Sequence, residues 1–509
     1  MTRYDLAIVG GGSAGALLAA RLSEDSSRRV VLVEAGGEAV DPDIWDPAAW
    51  PALQGRSYDW DYRTEPQAGT AGRAHRWARG RAVGGSSLLH AMGHMRGHPA
   101  DFAAWAEATG DARWSWEGLL PAFMAIEDHS LGGDGIHGSG GPLPVSLPEE
   151  EVSPVARAFI EAGAALGLRR ICGHNTGEMI GVTPNALTIR GGRRVTVAEA
   201  WLTPQVRSRK NLTILTGRLV RRLKLGGNRV AVLETIGPDG LSEIAAESII
   251  LSAGSIESPA LLMRSGIGPE DVLSEAGVAC RIASPDLGGN LQDHLLGAGN
   301  LYAARQTVPP SRLQHSESMA YMRAGDFSGR GRSEIVVGCG VAPIVSERFT
   351  PPAAGMAYSF LFGVTNPSSR GSLKITGPEP GDRLSIDPCY LQTERDRVLF
   401  RDALAAAREI GHRPELDGWR ERELLPGPLE TQADVDRFIA EAAITHHHPS
   451  GTCRMGKDKR SVVDADLRLR GLDNLHVVDG SVIPSLTAGP IHAPILAVAE
   501  TFVRTVSVV

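Results

Sequence analysis

Two apolar runs separated by a helical repeat open the chain. Tyr4 to Gly10 ("YDLAIVG") is a short run of strand formers, and Arg29 to Gly37 ("RVVLVEAGG") is a second. Between them, "GGGSAGALLAARLSED" places its Ala and Leu residues at helical intervals, so this region predicts strand, helix, strand. Further along, "NLTILTGRLVRRLKL" and "RVAVLETI" read as strands. "ESIILSAG" reads as a buried strand leading into a helix, and "NLHVVDGSVIP" as another strand. "HAPILAVAETFVRTV" closes the chain as a helix. No internal repeat is visible, and no run of about 18 apolar residues offers a membrane span. At 509 residues the chain is too long for one simple core, and two domains are expected.

Composition narrows the class without changing this picture. Hydrophobic residues are 42% and charged residues 22%, ordinary values for a soluble globular protein. Net charge is −7, and basic residues such as Arg218, Arg221 and Arg222 form only local clusters, so no nucleic-acid partner is expected. The 60 glycines and 32 prolines make the chain loop-rich without a low-complexity tract. Cys172, Cys280, Cys339, Cys389 and Cys453 are odd in number, scattered and never in a CxxC pair, which favours reduced thiols over a disulfide framework. "MTRYDLAIVGGG" lacks a cleavable signal pattern. A cytoplasmic protein without a membrane partner is the expectation, with a monomer as the simplest assembly.

Chemistry enters at the first strand-to-helix turn. Gly10, Gly12 and Gly15 form GxGxxG there, and Glu34 ends the second strand. Gly10 permits the tight turn, Gly12 lets the backbone approach a pyrophosphate, and Gly15 allows close helix–strand packing. The helix N-terminus supplies N–H donors, and the acidic residue accepts hydrogen bonds from a ribose. This context points to a dinucleotide site, although the fingerprint alone does not separate FAD from NAD.

Five later stretches remove that ambiguity: "GRAVGGSSLLHAMGHMRG" (Gly80 to Gly97), "SAGSIESPALLMRSGIG" (Ser252 to Gly268), "DLGGNLQDH" (Asp286 to His294), "HPSGTCRMG" (His448 to Gly456) and "VVDGSVIP" (Val477 to Pro484). In this order, with the N-terminal fingerprint, the chain resembles the glucose-methanol-choline oxidoreductases from end to end. The resemblance implies an α/β fold: a Rossmann-like FAD-binding domain and a discontinuous substrate domain on a mainly antiparallel sheet backed by helices. The implied FAD-binding segments are 1–150, 195–295 and 456–509, and the substrate segments are 151–194 and 296–455.

Carried over by residue, the resemblance gives Ser13, Ala14 and Glu34 to the adenosine diphosphate half of FAD, and the backbone of Val220 to adenine. Trp77, Arg81, Gly85, Ser86 and the turn His90, Ala91, Met92 and Gly93 would follow the pyrophosphate and flavin ring. Asp479 and Gly480 would meet the ribityl chain and pyrophosphate, with Ile491 and His492 also near the flavin. The family often has asparagine where His90 stands. Leu89 occupies the position at which some members join flavin to a histidine, so non-covalent FAD is implied.

"ITHHHPSGTCRMG" (Ile444 to Gly456) raises three readings. In an extended segment only His446 and His448 share a face, and two ligands without a second cluster match a zinc site poorly, so no metal is expected. A nucleophilic Cys453 would need a histidine base and a positive field, and it reads better as a small buried residue. General-base catalysis is the third reading. Flavin oxidation of an alcohol removes the O–H proton and delivers the α-hydrogen as hydride to N5, and imidazole, with a pKa of roughly 6.5, suits the first task. The resemblance makes His448 that base. His446 would sit beside it on the substrate, and His447 would point away.

Where the family pairs its base with a second histidine or an asparagine, this chain has Pro490 in "GPIHAP", which lacks a side-chain donor or acceptor. His446 is then the nearest substitute for the missing hydrogen bond. The combination of two histidines and Pro490 resembles that of family members acting on pyridoxine, so the resemblance implies pyridoxine as substrate and O2 as oxidant, and two histidines suit a ring alcohol flanked by a phenolic hydroxyl. The alternatives are a choline or other alcohol dehydrogenase with a quinone acceptor, and a hydroxynitrile lyase. Choline would ask for an aromatic cage, and only 5% of the chain is aromatic.

Overall fold

The computed structural model describes residues 3–506. Two large sheets dominate. In chain order their strands are β1 (Arg3–Val9), β2 (Val30–Val33), β3 (Gly181–Pro184), β4 (Leu212–Leu215), β5 (Leu219–Gly226), β6 (Arg229–Gly237) and β7 (Gly240–Leu251). These are followed by β8 (Leu295–Ala304), β9 (Ser316–Met322), β10 (Ile335–Gly340), β11 (Ala357–Val364), β12 (Arg420–Leu425), β13 (Ala443–Thr445) and β14 (Leu475–Val477). The helices that matter for the site are α1 (Ser13–Leu22), α2 (Pro154–Ala165), α3 (Gly254–Arg264), α4 (Glu394–Gly411) and α5 (His492–Thr505).

The first sheet runs β4-β2-β1-β7-β6-β5, with β14 paired to β7. β4, β2, β1, the C-terminal half of β7 and β14 are mutually parallel. Val30 to Val33 are all buried, as expected of a parallel strand covered on both faces. The N-terminal half of β7 instead forms an antiparallel hairpin with β6, so one long strand joins the two geometries. The close packing expected of Gly15 is present: a Cβ there would lie 1.8 Å from the carbonyl oxygen of Gly10. α5 packs against α1, and buried Glu500 accepts from Arg21 Nη1 at 2.6 and 2.7 Å.

The second sheet runs β12-β8-β11-β10-β9-β3, with β13 added beside β8, and all its pairs are antiparallel. Side chains alternate between its faces. Phe360 and Phe362 turn to the helices: Phe360 meets Phe159 of α2 at 5.0 Å between ring centroids, and Phe362 meets Phe400 of α4 at 6.1 Å. Leu361, between them, joins an apolar cluster with Leu296, Met319 and Tyr321 on the other face. That face looks into the cavity described below. Among the described residues no helix is long and apolar enough to cross a membrane.

Candidate active site

A cavity of about 740 Å³ is walled by both sheets and the turns at their ends, a size typical of small-molecule and cofactor sites. Gly10, Gly12, Ser13, Ala14 and Glu34 line one end with Val220. Gly85, Ser86, His90, Ala91 and Gly93 form the middle, and Asp479, Gly480, Pro490, Ile491 and His492 also line it. His446 and His448 lie on the same wall.

Four expected residues do not line this cavity. Gly15 is spent on packing against Gly10. Trp77 is fully buried, with Nε1 donating to Tyr390 Oη at 3.0 Å. Arg81 is exposed and stacks its guanidinium 4.7 Å from the Trp60 ring centroid. Met92 takes φ 57° and turns its fully buried side chain into the core. For Trp77, Arg81 and Met92 this corrects the expected lining, because each side chain is engaged elsewhere, whereas Gly15 does the packing expected of it.

The glycine-lined end suits a dinucleotide. The N–H groups of Gly11 and Gly36 donate to the two Glu34 oxygens at 2.7 and 2.8 Å. Burial raises the Glu34 pKa against the pull of those N–H groups. Gly12 and Gly85 face each other across the turn, and a Cβ on Gly85 would come within 2.6 Å of Gly12 Cα. Asp479 is spent inward: its carboxylate accepts from Gly254 N at 2.9 Å, Ser258 Oγ at 2.6 Å, and the N–H and hydroxyl of Ser481 at 2.8 and 2.6 Å. It thereby joins the start of α3 to the turn at Gly480, so any contact from Asp479 to a ligand must spare these bonds.

Orphaned polar atoms mark the middle of the cavity. His90 and His492 meet edge to face at 4.7 Å between centroids. His90 Nδ1 accepts from Met92 N at 3.1 Å, leaving Nε2 buried without a partner. Both ring nitrogens of His492 are likewise buried and unpartnered, and burial lowers its pKa to about 3. Neutral imidazoles without partners on a cavity wall call for a polar ligand. With the Glu34 end and the glycine turn, this donor and acceptor set fits FAD.

The histidine segment departs from the expected geometry. It leaves strand conformation after Thr445, and His447 adopts the left-handed φ of 60°. Thr445 Oγ1 accepts from His447 N at 2.9 Å, and the His447 carbonyl accepts from Arg79 Nη2 at 2.6 Å. This turn, and no pleat, brings the His446 and His448 rings to 4.3 Å between centroids. His447 also borders the cavity, and its Nδ1 is buried without a partner.

Sequence reasoning missed what holds His448. Asp293 Oδ1 accepts from His448 N at 2.6 Å, and Oδ2 accepts from Thr445 Oγ1 at 2.6 Å and from the Tyr390 hydroxyl. Burial raises the Asp293 pKa to about 6. His294 Nε2 lies 2.8 Å from the Thr365 carbonyl, and its Nδ1 lies 2.9 Å from His448 Nδ1. A carbonyl only accepts, so His294 carries its proton on Nε2. Its Nδ1 then accepts from His448 Nδ1–H, and His448 Nε2 is left as a bare acceptor. The ordinary imidazole pKa near 6.5 does not hold here. Burial, then His446, His294 and Arg79, push His448 well below it, and burial takes His446 to about 3. Both rings are neutral at neutral pH. Asp293 and His294 did stand in the quoted "QDH", an acid–histidine doublet just before an apolar strand, and that was the available signal.

Cys453 is buried with its pKa raised by burial, the state of a packed thiol. Among the described residues no group of three or more His, Cys, Asp or Glu is arranged to hold a metal.

Sequence profiles of the GMC oxidoreductases match residues 4–296 and 367–499. Pyridoxine 4-oxidase of Microbacterium luteolum is 71% identical over 502 residues, covering 99% of each chain. An oxygen-dependent choline dehydrogenase of Serratia proteamaculans is 35% identical over 525 residues, covering 98% of this chain and 94% of its own. The crystal structure of pyridoxine 4-oxidase from Mesorbium loti superposes with a TM-score of 0.98 at 72% identity, over 99% of both chains. Formate oxidase of Aspergillus oryzae RIB40 shares the fold at a TM-score of 0.90 and 24% identity, over 99% of this chain and 98% of its own.

Proposed function

The chain belongs to the GMC oxidoreductases, and from that premise we propose that it is a FAD-dependent oxidase of pyridoxine. The products would be pyridoxal and hydrogen peroxide. End-to-end identity of 71% to a pyridoxine 4-oxidase supports the substrate. When bound, FAD supplies a two-electron acceptor that takes hydride from the alcohol carbon and passes the electrons to O2.

The chain's residues supply binding and proton handling. Glu34 would take the ribose hydroxyls, the backbone from Gly10 to Ala14 with Gly85 and Ser86 the pyrophosphate, and Val220 the adenine. His90, Ala91, Gly93, Gly480, Ile491 and His492 would border the flavin and its ribityl chain. Leu89 on the wall leaves no nucleophile for a covalent link. FAD-binding segments 1–150, 195–295 and 456–509 and substrate segments 151–194 and 296–455 follow from the same reading.

One observation carries the mechanism: the hydrogen-bond chain from the Thr365 carbonyl through His294 to His448. It fixes the tautomer that leaves His448 Nε2 free to accept the alcohol proton. As that proton arrives, the Nδ1–H bond to His294 strengthens because its donor becomes charged. His446, neutral and with no ring hydrogen bond among the described residues, would orient the same oxygen or its phenolic neighbour. Pro490, its ring near Gly93, offers a rigid apolar surface with φ fixed near −65°, against which a flat pyridine can lie.

The test is product analysis in air. Pyridoxine should yield pyridoxal and peroxide in equal amounts. Turnover only with an added quinone or dye would make the protein a dehydrogenase, and alcohol binding without any flavin reduction would leave the lyase reading.

A further inference from the structure

His94 lines the cavity one residue past the turn from His90 to Gly93. Its backbone is pinned: His94 N donates to the Ala186 carbonyl at 2.8 Å, and Asn175 Nδ2 donates to the His94 carbonyl at 3.0 Å. The ring is pinned as well. Nε2 lies 2.9 Å from Glu127 Oε2, and both side chains are fully buried. Glu127 Oε1 accepts from Arg96 Nη2 and, at 2.9 Å, from Gly138 N. Burial would raise the Glu127 pKa, but His94, Arg96 and the Gly138 N–H hold it at about 2. Glu127 is therefore a carboxylate at neutral pH.

A carboxylate only accepts, so the His94 hydrogen sits on Nε2. Arg96 already balances Glu127, and a second proton on His94 would be a buried charge without a counter-ion. Nδ1 is thus a bare acceptor, and it is buried without a partner. His90 is its opposite. Met92 N and Arg194 Nη1 donate to His90 Nδ1 at 3.1 and 3.2 Å, so its hydrogen is on Nε2, a donor that is also buried and unpartnered. His492 meets His90 edge to face, and a proton on His94 is felt at His492, so the three rings are neighbours. Neutral His492 adds one donor and one acceptor, again without partners. All three rings line the cavity and none bonds another. This corner asks for a ligand that both gives and takes hydrogen bonds.

We propose that His94 is a cofactor-binding residue whose Nδ1 accepts the N3–H of the flavin. This rests on FAD as the cofactor and not on the choice of alcohol. The pyrimidine edge of oxidised flavin runs carbonyl, N–H, carbonyl: acceptor, donor, acceptor. His94 matches the single donor, while His90 and His492 have N–H groups for the carbonyls. Ribityl hydroxyls swing to give or take a bond and need no fixed tautomer. A rigid acceptor beside a rigid donor suits a rigid edge.

Competition between FAD and 3-methyl-FAD on the holoenzyme tests this without turnover. In 3-methyl-FAD a methyl group replaces the N3 hydrogen, and both carbonyls remain. The enzyme is held with equal concentrations of the two until the bound ratio is constant, and the released flavins are counted by mass spectrometry. Wild type should keep at least about ten FAD for each 3-methyl-FAD, since the methyl leaves His94 Nδ1 buried and unpaired. His94→Phe removes the acceptor and sets an apolar ring in its place, so its ratio should fall to near parity. Parity in the wild type overturns the proposal without any variant. A His94→Phe that prefers FAD as strongly as the wild type also overturns it, because bulk alone then rejects the methyl. Wild type that retains neither flavin would remove the FAD reading itself and this inference with it.

Discussion

His448 owes its usefulness to neighbours on other strands. Buried beside Arg79 and two further histidines, it holds a proton poorly at rest, so its task is to accept one briefly while His294 takes the Nδ1–H bond. His448→Ala should therefore lose flavin reduction by roughly a hundred- to ten-thousandfold, measured by rapid anaerobic mixing. His446→Ala should weaken both apparent affinity and rate, and His447→Ala should chiefly lower stability. His294→Phe removes the acceptor that fixes the tautomer, and reduction should slow roughly tenfold or more, since a histidine in the wrong tautomer is no base. An unchanged rate in His294→Phe would remove the relay from the account. His446 and His448 were legible as a pair from the sequence, but for the wrong reason. Alternation was assumed where a left-handed His447 makes the turn. The link to His294 depends on pairing between β8 and β13, which no local pattern encodes.

At the level of elements, the strand–helix–strand opening was readable because a parallel strand buried on both faces is a continuous apolar run. β7 was only half readable. "ESIILSAG" gives its buried end, while the hairpin with β6 sits in a more polar stretch, with Ser242 and Glu243 opposite Thr235 and Glu234. Side-chain direction at the turns was not readable at all, which is why Trp77, Arg81 and Met92 were expected on the cavity wall. The close approach of Gly85 to Gly12 makes a sharp test. Gly85 has φ 53° and no room for a Cβ, so Gly85→Ala should part the two turns and lower the flavin content of purified protein, read from the visible-to-ultraviolet absorbance ratio. Flavin content equal to the wild type would dissociate this turn from cofactor binding. Acid precipitation of the wild type should leave yellow flavin in the supernatant, because Leu89 offers nothing to bond it; flavin retained in the pellet would contradict that.

Across the whole molecule, the buried histidines set the acid limit. Burial holds His174 and His294 to about 4, and His446, His447 and His492 to about 3, against about 6.5 in an unfolded chain. Below pH 6.5 the unfolded state binds protons that the folded state refuses. Stability present above that pH is therefore lost as pH falls toward 4, by up to about 1.4 kcal/mol per unit for each such histidine. Asp293, raised to about 6, acts with the opposite sign, as do Glu34, Asp479 and Asp402, which are also raised, but the lowered histidines outnumber these carboxylates. Calorimetry should show a lower melting temperature at pH 5 than at pH 7, and a flat or rising profile would contradict this. The two-sheet plan was legible as a whole because its motifs are spread along the entire chain. The substrate was legible only through Pro490 and the histidines, since the apolar wall is assembled from strands far apart in sequence. The central claim is therefore best tested on the intact enzyme. Pyridoxine added without oxygen should bleach the flavin rapidly and completely, with pyridoxal as the product. A flavin that stays oxidised with pyridoxine while choline or a simple benzylic alcohol bleaches it would contradict the account.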